Sequence, residues 1–141
     1  MKPENLILAI AAAFVGIKLF GKSADEQAHD QAVKDLLKKP LPVPPGRSQP
    51  PAPQLSAAEA KAIAERQYIA MWRPGTDEGE LFRSLNGLNG ADLRQVYAQF
   101  GRRNYYNFRR PLDLFGWYVE ELSPAELSEM RLIWRKAGVT F

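Results

Sequence analysis

Seven of the eleven prolines of this 141-residue chain fall between Pro40 and Pro53. Proline lacks an N–H and fixes φ near −65°, so neither a helix nor an interior strand can run through such a stretch. Whatever precedes residue 40 and whatever follows residue 54 must therefore form separate elements. The segment Pro-Leu-Pro-Val-Pro-Pro-Gly-Arg-Ser-Gln-Pro-Pro-Ala-Pro-Gln (40–54) reads as a polyproline spacer. Extended at about 3.1 Å per residue, it would hold its ends roughly 45 Å apart. Pro42-x-x-Pro45-x-Arg47 also has the form of a ligand for an SH3-type groove, a pattern that any proline-dense run generates.

The spacer divides the chain into 1–22, 23–39, 40–54 and 55–141. The first part holds an apolar run from Leu6 to Ile17, with Lys18, Leu19 and Phe20 after it. As a helix, the fifteen residues from Leu6 to Phe20 would span roughly 22 Å at ~1.5 Å per residue. This reads as a short membrane anchor, with Leu6, Ile7, Leu8, Ile10, Phe14, Val15, Ile17, Leu19 and Phe20 facing lipid. No small-x-small cleavage site follows it, which argues against a removed signal peptide. Lys18, Lys22, Lys34, Lys38 and Lys39 follow the run, and the charge bias puts the C-terminal part on the cytoplasmic or particle-interior side. Residues 23–39 carry Ala24, Ala28, Ala32, Val33, Leu36 and Leu37 at helical spacing, which predicts a charged amphipathic extension stopped by Pro40. His29, among Asp25, Glu26 and Asp30, is expected at the surface.

Residues 55–141 are rich in helix punctuation. Ser56 with Glu59 and Ser123 with Glu126 are capping boxes, the latter with Pro124 at the first helical position. Pro74-Gly75, Asn86-Gly87, Gly101 and Gly138 are stops. Thr76 is expected to cap a short helix, and Asn89 with Asp92 to open another through Phe100. Leu112 to Leu122 has helical spacing. Five short helices without a strand predict a compact all-α unit that folds on its own, with Trp72, Trp117 and Trp134 mostly in its core.

Enzyme chemistry has little to stand on. There is no cysteine and a single histidine, which excludes thiolate sites, disulfides and a Ser-His-Asp triad within this C-terminal part. Glu120 and Glu121 are adjacent, so on a helix they diverge by about 100° and cannot form a facing pair. The net charge of +3, only +1 over residues 55–141, weighs against nucleic acid. The expected interaction surface is Arg102, Arg103, Tyr105, Tyr106, Phe108, Arg109 and Arg110. Arginine and tyrosine there suit a protein interface, and single-stranded nucleic acid is an alternative.

Gly75-Thr76-Asp77-Glu78, Leu81-Phe82-x-x-Leu85, Leu93-x-x-Val96-Tyr97-x-x-Phe100-Gly101-Arg102 and Asp113-Leu114-Phe115 through Glu120-Glu121-Leu122 together resemble one annexin repeat. The resemblance implies a five-helix fold and calcium-dependent binding of acidic lipid. Gly75 and Thr76 would be loop ligands, and Glu120 or Glu121 the distant carboxylate. Arg73-Pro74 departs from the usual loop. The layout of anchor, stalk and compact end also resembles single-span membrane proteins of membrane-containing bacterial viruses. It implies a non-enzymatic structural or docking protein in a bacterial inner membrane or virion membrane, linking the bilayer to capsid or other particle proteins.

Overall fold

A computed structural model describes residues 23–106 and 110–141, and these form an all-α fold of six helices. The helices are α1 (Ala24–Lys38), α2 (Ala57–Trp72), α3 (Glu78–Leu85), α4 (Gly90–Phe100), α5 (Leu114–Glu121) and α6 (Pro124–Trp134), with a closing 3-10 turn (Arg135–Ala137). Four of them open on a reciprocal capping box: Ser23 with Glu26, Ser56 with Glu59, Asn89 with Asp92, and Ser123 with Glu126. Each box satisfies amide groups that the first helical turn leaves without a partner.

The helix α4 is the centre of the packing. It lies against α2, α1 and the closing turn, while α3 packs on α2. Trp117, Tyr118, Trp134, Met71, Leu81, Leu93, Leu114 and Met130 are fully buried between these elements. Phe115 is sandwiched by Tyr97 (4.6 Å) and the C-terminal Phe141 (4.5 Å). Inside this core Gln67 is also completely buried and completely paired. Its amide donates to the Leu81 carbonyl (2.8 Å) and the Ser84 hydroxyl (2.6 Å), and its carbonyl accepts from Tyr118 (2.5 Å). Burial without those bonds would cost a few kcal/mol, so Gln67 fixes the register of α2 on α3 and α5.

Three expectations change. Among the described residues no helix is long and apolar enough to cross a membrane. The expected anchor at Leu6, Ile7, Leu8, Ile10, Phe14, Val15, Ile17, Leu19 and Phe20 lies outside the described residues. The transmembrane fold class, the lipid-bilayer partner and the single-pass inner-membrane or virion-membrane localisation are therefore corrected to an all-α fold without a described span. The amphipathic extension is not a free rod. Val33 and Leu36 of α1 pack on the core, and His29 is 7% exposed, its Nε2–H donating to the Ala98 carbonyl near the end of α4 (3.2 Å). Because a carbonyl only accepts, this bond fixes the proton on Nε2.

The proline segment, finally, is no extended stalk. Its first end is tied by Arg94, which donates to the carbonyls of Lys39 (2.6 Å) and Pro40 (3.4 Å). Its second end is tied by Asn89, which donates to Ala52 O (2.8 Å), and by Asp92, which accepts from the amides of Gln54 (2.6 Å) and Leu55 (3.0 Å). Between them Arg47 N donates to Pro44 O (3.2 Å) around Gly46, whose φ of +82° suits the third position of a type II turn. The segment is an arch with both feet on α4.

Candidate functional site

The arch and the body enclose the site. A cavity of about 570 Å³ is lined on one side by Pro42, Val43, Pro44, Pro45, Arg47, Pro51 and Gln54. On the other side lie Gly87, Leu88, Asn89 and Gly90, from the α3–α4 connection, with Lys136. That volume lies within the roughly 300–1,000 Å³ of sites for small organic ligands. Its walls are pyrrolidine rings, Leu88 and Val43, with the polar Gln54 and Asn89 among them. Its charged lining residues are Arg47 and Lys136, both exposed cations, and no acid among the described residues lines it.

Two charged residues hold this cavity open without lining it. Asp92 is fully buried and spends its carboxylate on three amides, those of Gln54, Leu55 and Asn89 (3.1 Å). Arg94 is 4% exposed and bonds Ala137 O (3.0 Å) besides the two arch carbonyls. One guanidinium thus joins the end of α1, the start of the arch and the closing turn that carries Lys136. Burial lowers the pKa of Arg94 from its usual value, yet the carbonyls around it favour the cation. Gly90 completes the floor. A Cβ there would stand 2.0 Å from the Lys136 carbonyl oxygen, so only glycine lets α4 start against the closing turn.

The residues singled out in the sequence lie elsewhere. Arg103 is held by Glu65 in a two-pronged ion pair (3.0 and 2.5 Å), donates to Phe100 O (2.9 Å), and lies over the rings of Tyr68 and Phe100. That pairing, by its hydrogen bond first, lowers the Glu65 pKa. Arg102 donates to Pro111 O (2.7 Å) and stands 3.8 Å from Asp25. Reciprocal 2.9 Å bonds between Arg103 and Leu112 close the connection into a loop. Tyr105 packs edge-on against Trp117 and donates to Glu121 (2.7 Å). Burial first, then Glu121, pushes its phenol pKa upward. Tyr106 is half-exposed and stacks on half-exposed Trp72 (5.5 Å), while Arg110 is exposed. Phe108 and Arg109 lie outside the described residues.

The calcium reading is corrected here. Thr76 does not cap α3; Asp77 does, its side chain accepting from Glu80 N (2.9 Å). Thr76 instead donates to Glu121 (2.5 Å), whose other oxygen takes Tyr105. Thr76 and Tyr105 therefore clasp the Glu121 carboxylate with their hydroxyls, while Gly75 only shapes the turn before Thr76 and Glu120 is exposed. Among the described residues no group of three histidines, cysteines or acids could hold a metal ion.

No known protein family, curated protein or solved structure matches this chain. The annexin-repeat and viral membrane-protein resemblances thus have no support, and the reading as a membrane-linked docking or virion structural protein, with capsid partners, is withdrawn. The alternative of nucleic-acid binding loses its basis too, since Arg102 and Arg103 are committed inside the fold.

What sequence reasoning missed is the arch cavity. The signal for it lay in two charged residues: Asp92 and Arg94 sit on the same α4 turn as Leu93 and Val96, and charged residues buried there need partners from outside the helix.

Proposed function

We propose that this protein is a non-catalytic binding module for a small amphipathic carboxylate, held under the proline arch. The supporting observation is the composition of the cavity: about 570 Å³, mostly apolar walls, and Arg47 and Lys136 as its charged lining. An apolar ligand body gains about 25 cal/mol for each Å² it removes from water against those walls. A carboxylate at the mouth meets two cations. Exposed ion pairs contribute little individually, roughly 0.2–1 kcal/mol each, so they orient the ligand more than they hold it. Proline suits the wall because its ring is rigid, and little side-chain entropy is lost on contact.

Isothermal titration of the full chain with dodecanoate, below its micelle concentration, tests the reading. One saturable site is expected, weakened about ten-fold in Arg47→Ala/Lys136→Ala and weakened again by added salt. Absence of saturable binding, or unchanged affinity in the double variant, overturns it.

A further inference from the structure

Three features describe how α1 is held to the body. First, it is seated over gaps: a cleft of about 320 Å³ separates it from the C-terminal tail along Ala32, Asp35, Leu36, Tyr97 and Val139. Another, of about 250 Å³, opens beside Glu26, His29, Asp30, Gly101 and Arg102. Second, its contact with the body leaves His29 Nδ1 buried without a hydrogen-bond partner and meets Arg102 Nε only through the 3.8 Å ion pair with Asp25. Unmet hydrogen bonds and missing packing atoms both weaken an interface. Third, its C-terminal end is continuous with the arch. Lys39 donates to Gly138 O (2.7 Å), and the Lys39 and Pro40 carbonyls take Arg94, two residues before the cavity wall begins at Pro42.

We infer that α1 is a releasable latch on the arch cavity: docked, it presents the Lys39 and Pro40 carbonyls to Arg94 and keeps the cavity formed; released, it lets the arch lift from the closing turn. The inference rests on the cavity being a ligand site, and it adds regulation to that site. Segments that open locally are those with few buried contacts, and α1 buries only His29 where each of the other helices buries two or more residues. Ligand and latch are then linked reciprocally. Anything that pulls α1 away weakens the ligand, and ligand under the arch holds α1 down by the same factor. Arg94 is the positioning residue of this coupling, since it bonds the end of α1, the arch and the turn at once. At the second foot, Asp92 and Asn89 are independent of α1, so release frees one end of the arch only.

Hydrogen exchange of the full chain, read by mass spectrometry, tests the latch with and without dodecanoate. The latch variant is Val33→Asp/Leu36→Asp, which puts charge on the docking face. Amides of 24–38 and 39–49 are expected to exchange at least about ten-fold faster in the variant, with α2 and α6 unchanged. Dodecanoate affinity should fall by about the same factor. In the unaltered chain, saturating dodecanoate should slow exchange in α1. Should the double variant fail to fold, Asp25→Asn, which removes the Arg102 pairing together with one first-turn charge of α1, gives the same changes in smaller degree. Faster exchange confined to α1, with the arch amides unchanged, overturns the latch. So does faster exchange in both with unchanged dodecanoate affinity. If dodecanoate binds neither form, the ligand reading fails, and joint release of α1 and arch still decides the mechanical part.

Discussion

Gly90 carries a constraint that no side chain can meet. The Lys136 carbonyl occupies the space of its Cβ, and both groups belong to backbone that cannot turn aside. Gly90→Ala is expected to destabilise the protein by ~3 kcal/mol, measured by urea unfolding, with α4 displaced from the closing turn. Arg94→Met leaves three carbonyls without their donor and should cost about as much; Arg94→Lys, which can reach only part of the set, should recover a fraction. At this scale the sequence was only partly legible. It marked Asn89 and Asp92 as a cap, but not that the same Asp92 carboxylate also takes Gln54 and Leu55 from 38 and 37 residues away. Thr76 is read from the sequence as the cap of α3, yet Asp77 takes that place and the Thr76 hydroxyl goes to the distant Glu121 carboxylate. His29 looked solvated because its neighbours in sequence are acids, whereas its neighbours in space are Tyr97 and the end of α4.

Helices were the most legible part because capping is local chemistry. Ser56, Asn89 and Ser123 stand where their spacing to an acid three residues on predicts. Ser123→Ala should lower stability by ~1 kcal/mol, a value read from a urea midpoint shift at unchanged slope. The carboxyls of these elements also set the acid limit. Glu59 and Glu126 are held below the ordinary 4.5 by their capping serines, and Glu65 by Arg103. A carboxyl lowered in the folded state stabilises it above the unfolded value and loses that contribution as pH falls through the folded one. The melting temperature should therefore stay level from about pH 7 to 5 and fall below 4.5, and Glu65→Gln should flatten that fall. The arch escaped notice for a physical reason. Polyproline has no internal hydrogen bonds, so its course is dictated by whatever holds its ends, and both ends are held by α4.

Over the described residues, α1 and the arch supply partners that α4 buries. Residues 55–141 alone should be less stable than the full chain by roughly 3–5 kcal/mol in urea, since Arg94 loses two acceptors and α4 loses its His29 contact. The account stands on the cavity under the arch being where a ligand sits. Amide chemical-shift mapping of the full chain with dodecanoate tests that most directly. Shifts centred on Val43, Arg47, Gln54, Gly87–Gly90 and Lys136 are predicted; shifts centred on the exposed Trp72 and Tyr106 pair, with the arch silent, would contradict it.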